Sequence, residues 1–361
     1  MARSGAKRIW PTAAMALVIA TAAIAAVGYW TGGFPAKQQV PDDTEAAAPA
    51  AAEAAAPRYR NPLTGFPSSS PMDRRPVAVV FSGAAQAQPP WGLSTPDLVV
   101  EGLADQGTTL LLGLYADISA APKVGPVGSL RPALLELAMD WDAIPAHWGS
   151  DAQSDRLLEE AQWEALNGAA SEGKFFFLDQ GRAAQGWGQA GYTSGSFLNQ
   201  AIAAMDLRLY RNRTPSLSFA PDDAPVRFSN ETYGEIRFRF SESAQYSFRR
   251  EQTSGLLEKW NGGSPVRDAE GSALRYRNVL LLLVPAGETG TPALSAGSGL
   301  FFTDGGYTTI LWSRNVPATD SQPARQGLQF FDGSGTPLEL NVGQSYIGFI
   351  PLDLAAYISM R

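Results

Sequence analysis

Hydrophobic residues in the middle of this chain fall into short runs separated by Pro and Gly. Short β-branched runs with such borders predict buried strands. Their almost uninterrupted apolar character is typical of strands that are covered on both faces. Five runs of this kind are present: Pro76–Phe81, Asp97–Glu101, Thr108–Tyr115, Ala143–Trp148 and Lys174–Leu178.

Between these runs, three segments repeat apolar residues at the spacing of an amphipathic helix. They are Pro132–Asp140, Ser154–Leu166 and Ser196–Leu207. Strands interleaved with helices indicate a sheet with helices packed on it. We therefore expect residues 61–212 to form a mixed α/β domain.

Beyond residue 212 the pattern changes, because apolar and polar residues alternate and glycine-rich turns separate the runs. The turn at Asp304–Gly306 is short enough to join two strands of a hairpin. Residues 213–361 are therefore expected to form a mostly antiparallel β domain, and the fold class of the whole chain is α+β. The expected strands are Ile236–Phe240, Tyr246–Arg250, Val279–Val284, Gly299–Phe302, Tyr307–Trp312, Leu328–Phe331 and Tyr346–Ile350.

The N-terminal end resembles a membrane-targeting segment. Residues 1–8 are basic, and residues 9–30 contain no charge over a length that can cross about 30 Å of hydrocarbon as a helix. The basic flank predicts a cytoplasmic N-terminus. A cleaved signal peptide is the competing interpretation, because Ala20–Ala22 offers a small-residue cleavage site. The length favours an uncleaved signal anchor in the cytoplasmic membrane. Either interpretation places the rest of the chain outside the cytoplasm.

Residues 31–60 are rich in Ala and Pro and show no apolar period, which predicts a disordered linker between membrane and domains. After residue 30 the chain has 25 basic and 35 acidic residues, a net charge of −10. This balance argues against a nucleic-acid partner, which requires clustered Lys and Arg.

Cysteine is absent, and His147 is the only histidine. Thiol chemistry, disulfides and a two-histidine zinc motif are thereby excluded. We expect no metal site and no cofactor.

A glycine-rich segment, Val124–Pro132 with the sequence VGPVGSLRP, precedes the first expected helix. Backbone amides at a helix start lack intrahelical partners and favour an anion. We therefore assign ligand binding to Gly125, Gly128, Ser129 and Arg131, whose guanidinium adds a two-pronged donor. Two structural alternatives remain open: Ser129 could cap the helix, and Arg131 could pair with Glu101 or Asp105.

Glu101 and Asp105 lie at and just beyond the end of an expected strand, where open α/β sheets place their ligands. We include both in the ligand site. Two carboxylates in different environments can also divide acid and base roles. Any histidine chemistry must use His147, so Glu101 and His147 are the candidate catalytic groups. The structural alternatives are an ion pair for Glu101 and a hydrogen-bonded core position for His147.

One known family is matched, in order along the chain, by the following residues: Asn61–Gly65, Arg75–Val79, Gly92–Ser94, Asp97, Glu101, Val124–Val127, Ser129, Arg131, Arg277–Val279, Gly297–Gly299, Phe301, Asp304–Gly306, Phe330–Asp332, Gly343–Gln344 and Tyr346. In these residues the chain resembles the YerB-like family of bacterial proteins, which are often lipoproteins with a domain of unknown function. The resemblance implies two domains and an extracytoplasmic location, and it implies no activity. In the glycine-rich segment, Gly128 and Leu130 stand where the family usually has Arg and Ala.

Two functions are compatible with these observations. The first is a membrane-anchored, extracytoplasmic binding or scaffolding protein of the cell envelope, with an unidentified ligand or protein partner. The second is a cell-envelope hydrolase that uses Glu101 or Asp105 together with His147 as acid and base. The hydrolase requires these side chains to meet in one pocket.

Overall fold

The computed structural model describes residues 59–104, 107–185, 190–213, 216–228, 233–285, 294–316 and 325–361. The expected segments 1–8 and 9–30, and nearly all of the expected linker, lie outside the described residues, as does Asp105. Within the described ranges, none of the helices is both long enough and apolar enough to span a bilayer.

The described ranges contain three α-helices and many strands, several of them only two residues long. The helices are α1 (Pro132–Asp140), α2 (Ala152–Ala161) and α3 (Gly195–Ala204). The strands of the first half are β1 (Tyr59–Arg60), β2 (Pro67–Ser68), β3 (Val77–Ser82), β4 (Leu98–Leu103), β5 (Thr109–Tyr115), β6 (Lys123–Val124), β7 (Ile144–His147), β8 (Leu166–Asn167), β9 (Phe177–Leu178) and β10 (Gly191–Ser194). Those of the second half are β11 (Ser218–Phe219), β12 (Glu235–Arg239), β13 (Gln245–Arg250), β14 (Leu257–Asn261), β15 (Ser264–Pro265), β16 (Arg275–Tyr276), β17 (Asn278–Val284), β18 (Ala296–Thr303), β19 (Gly306–Val316), β20 (Arg325–Phe331), β21 (Glu339–Leu340), β22 (Ser345–Pro351) and β23 (Ser359–Met360).

Ten strands form one large sheet in the order β20-β19-β18-β17-β22-β4-β5-β3-β7-β8. Strand β22 pairs in parallel with β4, so Ser345 lies opposite Leu98. The large sheet is therefore continuous between the first and second halves of the chain.

A second sheet packs against one face of the large sheet. It has the order β15-β14-β13-β12-β23, and β16 also pairs with β14. The apolar layer between the sheets includes Val99 and Leu111 from the large sheet and Phe238 and Phe248 from the second. Helix α3 joins this layer, whereas α1 packs on the opposite face of the large sheet. The arrangement confirms the α+β class and the mostly β second half.

Helix α1 has the bounds that its apolar spacing predicts. The expectation for α2 was less accurate: Asp151 accepts a hydrogen bond from the Ser154 amide and caps the helix two residues earlier than expected. The same helix ends early because Gln162 takes a left-handed backbone conformation. In Lys174–Leu178, only Phe177–Leu178 is a strand.

A cluster of buried charged side chains connects the residues just before β3 with the residues just after α1. Asp142 is fully buried and accepts two hydrogen bonds from Arg208, at 2.5 and 2.9 Å, and one from the Asn212 amide at 2.7 Å. The buried Arg75 lies 3.6 Å from the same carboxylate and also pairs with Glu164. Burial alone would raise the pKa of Asp142, but the bonds from Arg208 and Asn212 outweigh it, and the pKa is lowered.

We predict that Asp142→Asn lowers the free energy of unfolding by about 3 kcal/mol, because the Arg75 and Arg208 charges lose a buried partner. Asn tolerates the left-handed backbone at this position, so the change tests the charge rather than the conformation. A carboxylate with a lowered pKa stabilises the fold above about pH 4 and loses that effect as the pH falls. In urea unfolding, the difference in the free energy of unfolding between wild type and variant should therefore become smaller below about pH 4. A difference that does not change with pH would show that the Asp142 charge does not stabilise the fold.

Candidate functional site

Glu101 lies in the middle of the large sheet and has no exposure to solvent. Strand alternation on β4 places it on the same face as Val99, which points into the layer between the two sheets. A carboxylate in such a layer requires a partner, because burying an isolated charge is very costly.

The partner comes from the second sheet. Lys259 on β14 is 3% exposed and its ammonium pairs with Glu101 Oε2. Leu257, two residues earlier on the same strand, also points into the layer, so Lys259 occupies an inward position of the alternating pattern. The ion pair thus joins the two sheets through the apolar layer.

Two hydroxyl groups complete the surroundings of Glu101. Thr109 Oγ1 donates to Oε1 at 2.8 Å, and the Tyr346 hydroxyl donates to Oε2 at 2.7 Å. The Lys259 ammonium also lies 4.0 Å from the ring centre of Tyr246 and 5.1 Å from that of Tyr346. Aromatic faces attract a cation, so the two rings also stabilise the lysine charge.

The electrostatics of the cluster result from this burial. Removal from water lowers the pKa of Lys259, and the attraction of Glu101 opposes that shift without cancelling it. Burial raises the pKa of Tyr346 well above its usual range, and the Glu101 charge adds to the effect. Tyr346 therefore stays a neutral hydrogen-bond donor at physiological pH.

A cavity of about 250 Å³ opens onto this cluster. Glu101, Thr109, Tyr246 and Lys259 contribute to its wall, together with apolar residues of both sheets. Exposed polar side chains line its mouth: Gln86, Gln88, Ser243 and Asn261. We call this space the inter-sheet cavity.

The glycine-rich segment lies elsewhere and is buried except at Ser129 and Arg131, which are partly exposed. Its amides donate to backbone carbonyls: Gly125 to Trp91, Val127 to Gly191, and Gly128 to Val80. Gly125 has a φ of 148°, and a Cβ there would lie 2.6 Å from the Gly191 carbonyl oxygen. These glycines allow close backbone packing, and the amides named here are engaged within the protein rather than presented to an anion.

Ser129 does not cap helix α1, and Arg131 does not pair with Glu101, although the sequence had left both roles open. Pro132 occupies the first turn of α1, so Arg131 is the cap residue, and the Ser129 hydroxyl accepts a hydrogen bond from Arg131 at 2.8 Å. Arg131 lies 3.6 Å from Asp151 in an ion pair. Pairing of Arg131 with Glu101 is therefore wrong, because Glu101 is paired with Lys259.

His147 is 1% exposed at the end of β7, and Nδ1 lies 2.7 Å from the Gly149 carbonyl oxygen. Since a carbonyl can only accept, Nδ1 carries the proton, and burial lowers the pKa of the ring. Alternation on β7 places His147 on the sheet face opposite Glu101. The structure therefore separates these two groups, which removes the geometric basis of a hydrolase that pairs Glu101 with His147.

Sequence reasoning selected Glu101 as a site residue and did not select Lys259, Thr109 or Tyr246. It noted Tyr346 only as a residue that matches the family. The sequence does contain a hint of Lys259: it lies two residues after Leu257, and so on the same face of a strand that ends at the glycine turn 261–263. Trp260 offered an equally good inward position, so the pattern alone did not select Lys259. In the described ranges, no group of three or more His, Asp or Glu residues is arranged to hold a metal ion.

Fold and site together define an α+β protein in which two sheets enclose a small cavity above a buried ion pair. Residues 63–208 match the family model described as "Protein of unknown function (DUF3048) N-terminal domain", and residues 236–347 match the corresponding "C-terminal domain". The chain belongs to this YerB-like family, and the resemblance seen in the sequence is confirmed.

Two comparisons with individual proteins agree with the family models. The chain is 26% identical over 286 residues to the "Putative lipoprotein YerB" of Bacillus subtilis (strain 168), covering 74% of this chain and 83% of that protein. The crystal structure of YerB from Bacillus subtilis superposes with a TM-score of 0.69 at 24% identity, covering 82% of this chain and 98% of the other. The structural likeness establishes a shared fold.

We predict that Lys259→Met lowers the free energy of unfolding by about 3–5 kcal/mol, because Glu101 is left as an unpaired buried charge. In this variant protonation of Glu101 removes an unpaired buried charge, so it stabilises the folded state more than the unfolded state. Its stability should therefore rise as the pH falls from 8 to about 5, measured by urea unfolding.

The control is Lys259→Met combined with Glu101→Gln, in which no buried charge remains. This double variant should recover part of the lost stability, because an apolar replacement of a whole pair is often tolerated. The stability of the double variant should also not increase as the pH falls from 8 to about 5. Equal stabilities of wild type and Lys259→Met would show that the pair does not link the sheets.

Proposed function

We propose that this protein is an envelope-associated binding protein that holds a small, neutral, oxygen-rich ligand in the inter-sheet cavity. The observation that supports this proposal is the cavity with the Glu101–Lys259 pair in its wall. Well-packed apolar residues could replace a buried ion pair whose only role was structural. The relative named as a lipoprotein supports membrane association. We further propose that residues 9–30 provide the attachment as a single-pass anchor, because this chain has no cysteine to carry a lipid.

The ligand chemistry is set by the groups in the wall. The Glu101–Lys259 pair has no net charge, so the cavity offers little attraction to an ion. The Lys259 ammonium has three N–H donors, of which one is directed to Glu101, and a ligand carbonyl or hydroxyl can accept another. The amides of Gln86, Gln88 and Asn261 at the mouth can both donate and accept. A sugar or an amide compound has matching groups.

The volume of about 250 Å³ limits the ligand to a small molecule or to one unit of a larger one. Ligand pockets in proteins combine apolar walls with a few placed polar groups, as this cavity does. The proposal therefore predicts recognition of one residue of an envelope glycan or peptide, rather than of a broad protein surface.

The test uses the full chain in neutral detergent and saturation-transfer NMR with N-acetylated sugars and N-acetyl amino-acid amides. At least one probe should bind, and Gln86→Trp should weaken it by roughly tenfold or more because the indole fills the mouth. Gln153→Trp, on the exposed surface of α2, is the matched control and should bind as the wild type does. Absence of binding by every probe, or equal binding by both variants, would refute the cavity as the site.

A further inference from the structure

The outward face of the second sheet carries a separate groove of about 440 Å³. Its floor and walls come from β12, β13 and β23 and from the short 3₁₀ helix Leu352–Tyr357. Arg237, Arg239 and Arg249 line it, and we call it the arginine groove. None of these three arginines lines the inter-sheet cavity, so a role for the groove is independent of the proposed function.

The three arginines form a row along the β12–β13 pair. Alternation places Arg237 and Arg239 on the same outward face of β12. Arg249 on β13 lies directly opposite Glu235, at the other end of β12 from Arg239. Two residues of a strand span ~7 Å, so the row offers three cationic positions at successive steps of about that length.

Aromatic rings hold the two ends of the row in place. The Arg239 guanidinium lies 3.1 Å from the ring centre of Tyr357, and that of Arg249 lies 4.0 Å from the ring centre of Trp260. Stacking uses the face of a guanidinium and leaves its N–H edges for planar acceptors. Arg239 Nε is buried and has no hydrogen-bond partner in the part of the chain that the structure describes.

Acidic groups offset this charge only in part. Within the groove, Glu235 accepts from Arg237 at 2.8 Å and from Arg249 at 2.9 Å, and so holds both side chains over the sheet. Glu242 pairs with Arg239, but its side chain is 82% exposed, so such a pair is weak and easily exchanged. The groove is therefore positive in a protein whose overall net charge is −7.

We propose that the arginine groove binds a flexible polyanion through phosphate groups at successive repeats. Arg guanidinium matches phosphate through paired N–H donors. The row supplies one guanidinium at each step, part of whose N–H groups already bind Glu235 or Glu242. Arg239 lines the groove although its side chain is only 12% exposed, so a narrow chain lying in the groove can approach it more closely than a flat bilayer can. This difference favours a polymer over lipid headgroups.

The test measures anisotropy of fluorescent inorganic polyphosphate with the full chain in neutral detergent between 50 and 200 mM salt. The wild type should bind, and its affinity should fall as salt rises. Arg237→Gln with Arg249→Gln should weaken binding roughly tenfold or more. The slope of log affinity against log salt should drop by about 0.7 for each arginine removed.

Arg156→Gln with Arg267→Gln is the control, since it removes the same charge from exposed positions outside the groove and should bind as the wild type does. Arg237→Lys with Arg249→Lys keeps the charge and should bind more weakly, because lysine lacks the planar fork. If the double Gln variant does not fold, Arg237→Gln alone, at a half-exposed side chain, serves instead.

Three results would overturn the proposal. The first is no binding of polyphosphate by the wild type. The second is equal weakening by the groove and control variants, which would indicate general electrostatic attraction. The third is binding to phosphatidylglycerol vesicles without binding to soluble polyphosphate, which would assign the groove to a membrane surface.

Discussion

Glu101 and Lys259 belong to different sheets, and both are held away from water. Neither charge is tolerable alone in an apolar layer, so each fixes the position of the other and thereby the spacing of the two sheets. Thr109 and Tyr346 satisfy the remaining oxygen positions of Glu101. Glu101, Thr109 and Lys259 line the inter-sheet cavity, whereas apolar side chains such as Val99, Phe238 and Phe248 fill other parts of the same layer.

The second sheet separates two chemically different surfaces. Its inner face carries Lys259 and Tyr246 toward a cavity without net charge, whereas its outer face carries Arg237 and Arg249 in an open positive groove. Consecutive residues of one strand, Lys259 and Trp260, serve the two sides, which is a direct result of strand alternation. A neutral ligand and an anionic polymer could thus be held by one sheet without competing for the same side chains.

Local patterns predicted most of the regular structure. Apolar spacing explains the bounds of α1. The left-handed conformations of Asp304 and Gly305 explain the hairpin turn between β18 and β19. The site was predicted only in part, because Glu101 is separated in sequence by 158 residues from Lys259 and by 245 from Tyr346. Short-range periodicity cannot report such contacts. The glycine-rich segment misled the prediction for a related reason, since its amides donate to carbonyls of segments that are distant in the sequence.

The parallel pairing of β4 with β22 bears on how the chain reaches its native state. Strand β4 has β5 on one side, and its other edge stays open until residues 345–351, which follow it by more than 200 residues, become available. An open apolar edge invites pairing with other chains. Until those residues pair with it, the first half has an unpaired apolar strand edge. A truncated chain ending near residue 212 would therefore be prone to self-association rather than to independent folding.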